Sequence, residues 1–182
     1  MKYVAAISKA WSELEQSDSQ RKYSLRFLAD TYSIDSENKS VFSASCGVPA
    51  KPYYSILLLH YLVRKLKGLP RIKGEWVSFK ELGGEVYYPT FKKRVIDTIV
   101  RKYQDKPEAL LQLSERFPAK RAQLAEVSIV IEVLERVPIL ISFWRADEEF
   151  GAQANVLFDQ SISQIFCTED IVVLAEILAH SI

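Results

Sequence analysis

Val127-Ser128-Ile129-Val130-Ile131-Glu132-Val133-Leu134-Glu135-Arg136-Val137-Pro138-Ile139-Leu140-Ile141-Ser142-Phe143-Trp144 is the stretch on which the fold turns. In an extended chain successive side chains alternate between two faces. Val127, Ile129, Ile131 and Val133 therefore share one face, and Val137, Ile139, Ile141 and Phe143 share another, with the polar pair Glu135-Arg136 between them. Two apolar, β-branched runs joined by two polar residues predict a β-hairpin. Asn155-Val156-Leu157-Phe158 reads as a third strand ending at Asp159, and Thr168-Glu169-Asp170 as the cap of a closing helix through Ile171, Leu174 and Leu178.

Towards the N-terminus the period changes. Phe91, Val95, Ile99 and Tyr103 recur every fourth residue, with Lys92, Lys93, Arg94, Arg101 and Lys102 between them, which predicts a helix; Pro107 starts a shorter one through Leu110 and Leu113. From Gly74 to Pro89 the pattern is irregular. Ser78-Phe79-Lys80-Glu81 has capping-box spacing and Gly83-Gly84 permits positive φ, so a single helical turn and a loop are expected. Pro52 suits the first position of a helix running to Gly68, apolar around nearly its whole circumference and hence central. Tyr23–Leu28 and Tyr32–Asp35 alternate as strands, with a polar turn at Asp35–Lys39 before Ser40–Ser43, and Val4, Ile7, Trp11 and Leu14 mark an opening helix that ends at Ser17-Asp18-Ser19. The expected fold class is α+β: a single domain over residues 1–182, in which one antiparallel or mixed sheet, built from the N-terminal hairpin and the C-terminal strands, is covered by helices.

Composition limits the function. With 48% hydrophobic and 12% aromatic residues, 182 residues fill one core without disulfides or a structural metal. No apolar run approaches the roughly 20 residues that cross a bilayer, and the opening Met1–Lys9 does not read as a signal peptide, so no membrane association and a cytoplasmic location are expected. Twenty-four basic against 23 acidic side chains leave no net field to attract nucleic acid. Cys46 and Cys167 are too far apart in sequence for a CxxC pair, a zinc ribbon or an iron–sulfur cluster held by one chain, and are expected as reduced, buried thiols.

No phosphate-binding glycine loop, dinucleotide fingerprint, zincin helix or nucleophile elbow is present. Of the two histidines, His180 lies two residues from the end, and His60 sits in Leu58-Leu59-His60-Tyr61-Leu62. A histidine on an apolar helix serves either as an axial ligand to a tetrapyrrole or as a neutral ring hydrogen-bonded to a carbonyl or carboxylate. A second constellation is Trp144-Arg145-Ala146-Asp147-Glu148-Glu149-Phe150. Asp147, Glu149 and Asp159 would suit Mg²⁺ or Ca²⁺ or an acid–base pair if they converge, and otherwise cap turns and pair with arginines. Trp76, Phe79, Tyr87, Tyr88 and Phe91 form a third, a loop that either covers a ligand or fills the core.

The order of landmarks resembles a known family. Ser55–Leu62, Gly74–Leu82, Arg136-Val137-Pro138-Ile139, Phe143–Phe150 and Val156-Leu157-Phe158-Asp159 occur in the sequence of the domain-of-unknown-function family 3786, found in anaerobic bacteria and archaea. Some relatives carry a cysteine-rich segment like that of corrinoid iron–sulfur proteins, which this chain lacks. The resemblance implies an accessory rather than an enzymatic role in anaerobic one-carbon metabolism, with an iron–sulfur or corrinoid protein as partner. The expected function is binding of a small cofactor, a corrinoid (cobalamin) or another tetrapyrrole, by His60, Trp76, Tyr87 and Trp144. The alternatives are a metal-dependent hydrolase or transferase using Asp147, Glu149 and Asp159, and a protein-interaction module.

Overall fold

Over residues 3–182, which the computed structural model describes, the chain opens with helix α1 (Val4–Ser17). An antiparallel meander of β1 (Lys22–Phe27), β2 (Asp30–Asp35) and β3 (Ser40–Ser43) follows. Helix α2 (Pro52–Lys67) leads to the short strand β4 (Trp76–Ser78) and to a helical stretch containing α3 (Tyr88–Phe91) and α4 (Asp97–Tyr103). Strands β5 (Ala119–Arg121), β6 (Val127–Leu134), β7 (Val137–Trp144) and β8 (Gln153–Asp159) build a five-stranded antiparallel sheet with β4, in the order β4-β8-β7-β6-β5, and α5 (Thr168–Ser181) closes the fold.

The hairpin read from Val127–Trp144 is β6–β7, with Leu134 opposite Val137 across the Glu135-Arg136 turn. Arg136, the second residue of the turn, takes φ 59°, in the left-handed region, while Glu135 before it does not. Both faces of β6 are buried along almost its whole length, because the strand lies inside the sheet and between layers. The single sheet expected from the sequence is corrected to two. The register of β6 slips between Glu132 and Leu134, and the carbonyl of Val133, freed by that bulge, accepts the N–H of Leu28 at 2.8 Å. Arg26 donates to the carbonyl of Glu132 at 3.1 Å and to its Oε1 at 2.7 Å. The three-stranded sheet is therefore stitched to β6 at the irregularity and does not continue its ladder.

The stretch expected to be irregular also contains a strand. Trp76 faces Asp159, Val77 faces Phe158 and Ser78 faces Leu157, so β4 covers only the last three residues of β8. Among the described residues, the preceding four, Gln153–Val156, have no strand neighbour on that side. Beyond β4 the chain turns through Gly83, at φ 80°, and Gly84, where a Cβ would fall inside the Phe79 ring. Phe79 stacks on Phe91 with ring centroids 4.4 Å apart, and both are 1% exposed, so these rings fill the core. Residues 88–103 run as one helix with a wide π-type segment at Lys92–Ile96. A strict four-residue repeat drifts around an α-helix of 3.6 residues per turn, and the wider turn takes up part of that drift, burying Phe91, Val95, Ile99 and Tyr103 together.

Helix α2 begins with Pro52 at its first turn and stops at Gly68, whose φ is 101°. Leu57, Leu58, Leu59, Tyr61, Leu62 and Val63 are buried, packed between α1, α5 and the sheets within one continuous core. A narrow stripe, Tyr53, Ile56, His60 and Arg64, is only half-buried. Thr168 does not cap α5 as the sequence suggests: its hydroxyl donates to the carbonyl of Leu82 at 3.1 Å, and Cys167 precedes the helix. Both cysteines are free, as expected, but exposed rather than buried. Among the described residues, no helix is long and apolar enough to cross a membrane.

Candidate functional site

His60 projects from the half-buried stripe of α2, and Asp170 lies in the first turn of α5. Their side chains meet with His60 Nδ1 and Asp170 Oδ2 2.8 Å apart. The same oxygen accepts the thiol proton of Cys167 at 3.3 Å. The hydrogen bond to Asp170 raises the His60 pKa, its partial burial opposes the rise, and the charges of Asp170 and of Glu13 on α1 favour it while Lys9 opposes it. Cys167 is an exposed residue whose sulfur is partly covered. That burial, with Asp170 beside it, pushes the thiol up to about 11, so it stays protonated at neutral pH and is a poor nucleophile.

Of the two readings left open for His60, the pairing with a carboxylate is observed, and it leaves the axial-ligand reading standing. The imidazole side chain is 29% exposed. Nε2 makes no hydrogen bond within the described chain and is not sealed from solvent. With Nδ1–H given to Asp170, the neutral ring presents its Nε2 lone pair outward. A carboxylate fixes ring orientation and tautomer in this way for metal-bound histidines.

The remaining expected residues are dispersed. Trp144 ends β7 opposite Gln153, and Trp76 lies opposite Asp159. The two indoles thus stand at opposite ends of β8, about 20 Å apart at roughly 3.3 Å per residue. Tyr87 is 54% exposed in the turn before α3. Two grooves stand out on the surface of the described residues. One, of about 340 Å³, runs between α1, β3 and the start of α2 past Trp11, Phe42 and Pro52, and the other, of about 330 Å³, lies between the β1–β2 turn and residues 114–118; neither contains His60, Trp76, Tyr87 or Trp144.

The acidic group is not assembled, and antiparallel geometry is the reason. The chain leaves β7 at Trp144 and enters β8 at Gln153, so Asp147 and Glu149 lie in the loop at one end of β8 and Asp159 at the other. Asp147 accepts the N–H groups of Glu149 at 2.9 Å and Phe150 at 2.7 Å, which hold its carboxyl below the usual range. Asp159 is 1% exposed. Burial alone would raise its pKa, but the N–H groups of Lys73, Gly74 and Ser161, at 3.1, 2.6 and 3.0 Å, outweigh it and hold the carboxyl low. Among the described residues no group of three or more His, Cys, Asp or Glu side chains could hold a metal ion.

Neither Asp170 nor Arg64 is marked as a site residue by the sequence. Asp170 was legible only as a helix cap, because its partner is 110 positions away. Arg64 follows His60 by four residues on α2, a spacing visible in the sequence but tied to no motif. Its Nε is the one buried side-chain nitrogen or oxygen without a hydrogen-bond partner among the described residues, an arrangement that costs about 1–3 kcal/mol.

Comparison with known families gives a match over nearly the whole chain. The profile of a family described as "Domain of unknown function (DUF3786)" matches residues 8–181. No curated protein and no solved structure matches the chain.

Proposed function

The chain belongs to the DUF3786 family, and from that membership we propose that it is an accessory, non-catalytic domain offering His60 as an axial ligand to a tetrapyrrole, a corrinoid first among them, in anaerobic one-carbon metabolism. One observation carries this reading: Nδ1 of His60 is fixed by Asp170 at 2.8 Å, while Nε2 is left open. The imidazole fits the role of a single donor. The two grooves do not fit a whole macrocycle, for they are small and His60 is in neither. The macrocycle would lie against the α2 face and be enclosed by a partner, an iron–sulfur or corrinoid protein. Bound there, the cofactor would supply the redox and group-transfer chemistry. The chain's own residues would orient the ring nitrogen, Asp170 raising its basicity.

Anaerobic ultraviolet–visible titration of the protein with cobalamin and with haem tests this. A saturable spectral change is expected, abolished in His60→Ala and weakened about 10–100-fold in Asp170→Asn. Ligation competes with the Nε2 proton, so affinity should rise with pH until His60 is neutral. A spectrum that stays unchanged, or that changes equally in His60→Ala, sinks the reading.

A further inference from the structure

Arg64 is used neither by the fold nor by the reading of His60. Its position four residues after His60 on α2 makes the two side chains neighbours, with Cβ atoms about 5–6 Å apart. Arg21, Arg26, Arg94 and Arg145 each meet a carboxylate; among the described residues Arg64 meets none, although it is half-buried. An exposed arginine without a partner is ordinary, whereas one held in the surface with Nε sealed is not. The terminal nitrogens of Arg64 make no hydrogen bond within the described chain and are not sealed from solvent, leaving a fork that suits the two oxygens of a planar or tetrahedral oxyanion.

The charges around His60 agree. Asp170 approaches from α5, Glu13 and Lys9 lie nearby on α1, Arg64 shares the α2 face, and the Cys167 thiol stays uncharged. Protonation of His60 adds a second positive charge to the α2 face that already carries Arg64. We infer that the α2 face carrying His60 and Arg64 binds an oxyanion, the carboxylate or phosphate group of a ligand, with Arg64 as the permanently charged anchor and protonated His60 donating through Nε2. This goes beyond the tetrapyrrole reading and carries the opposite pH dependence: an oxyanion binds more tightly as His60 gains its proton, and a metal ligates more tightly as His60 loses it.

The chain has only two histidines, so the C–H resonances of their rings in the 182-residue chain read the site directly. Inorganic phosphate and acetate are titrated separately at constant ionic strength, and His60→Gln assigns the peaks. His180, exposed on α5 with Nδ1 against the carbonyl of Glu176, serves as internal control. The His60 resonances should shift saturably while those of His180 stay still, and acetate, whose own charge does not change near neutrality, should bind more tightly below the folded pKa of His60 than above it. Arg64→Gln should weaken binding about tenfold or more, and Arg64→Lys by less. A tighter response to phosphate assigns a phosphate ligand, and one to acetate a carboxylate ligand.

The inference is overturned by no saturable shift with either anion, by equal shifts of both histidines, or by an unchanged response in Arg64→Gln. Should Arg64→Gln fail to fold, Arg64→Lys and the wild-type pH dependence decide, and an affinity indifferent to both overturns it. Loss of anion binding beside an intact cobalamin response would sink this inference alone, and the converse result the tetrapyrrole reading alone.

Discussion

His60 and Asp170 show how much of a site one residue's own sequence context can carry. His60 stood out because it is one of only two histidines and lies in an apolar helix. Its partner could not be found that way, since the pairing depends on α5 folding back along α2. That pairing has a pH signature. The folded pKa of His60 is raised, chiefly by its hydrogen bond to Asp170, so the interaction stabilises the protein fully below the unfolded histidine value near about 6.5 and is lost as pH rises through the folded value. His60→Gln should therefore cost about 1 kcal/mol in acid and progressively less above neutrality. Urea unfolding of both proteins from acid to alkaline pH checks it, and a difference that does not vary with pH rules it out. Arg64 escaped the sequence reading for another reason: what distinguishes it is the lack of a partner, which only the assembled surface reveals.

The elements whose signal is local were legible. The β6–β7 hairpin, α1, and α2 with its Pro52 start and Gly68 stop all follow from residues within one window. β4 and β5, three residues each, carry no periodicity of their own and exist because β8 and β6 offer them an edge. The paired glycines were read as freedom to turn, and at Gly83 the positive φ bears this out; Gly84 serves as space for the Phe79 ring. Gly84→Ala should drive the new methyl into that ring and destabilise the protein by about 1–3 kcal/mol. A denaturant midpoint equal to that of the wild type would show that the Phe79–Phe91 stack yields easily.

At the scale of the whole molecule, the α+β class and the helical cover were legible, and the division into two sheets was not. The strands of the first sheet look, residue by residue, as able to extend the second as β5 is. What separates them is the bulge at Val133 and the contacts that Arg26 and Leu28 make there, all of them long-range. The acidic cluster failed for a related reason: adjacency in sequence suggested adjacency in space, while an antiparallel turn puts the two ends of β8 as far apart as the strand is long.

That same geometry assigns the displaced acids a different duty. Among the described residues, 153–156 of β8 have no strand neighbour on the β4 side, and an open half-edge is where a second copy of a chain can add a strand and begin to aggregate. Asp147, Glu148 and Glu149 are exposed in the loop that feeds this half-edge, and two copies meeting there would bring like charges together. Replacing all three by their amides should permit concentration-dependent self-association, visible by sedimentation velocity, where the wild type stays dispersed; equal behaviour would remove the acids from this role. The loop that chemistry passes over then stands as a gatekeeper, holding the edge of the sheet apart from its own kind.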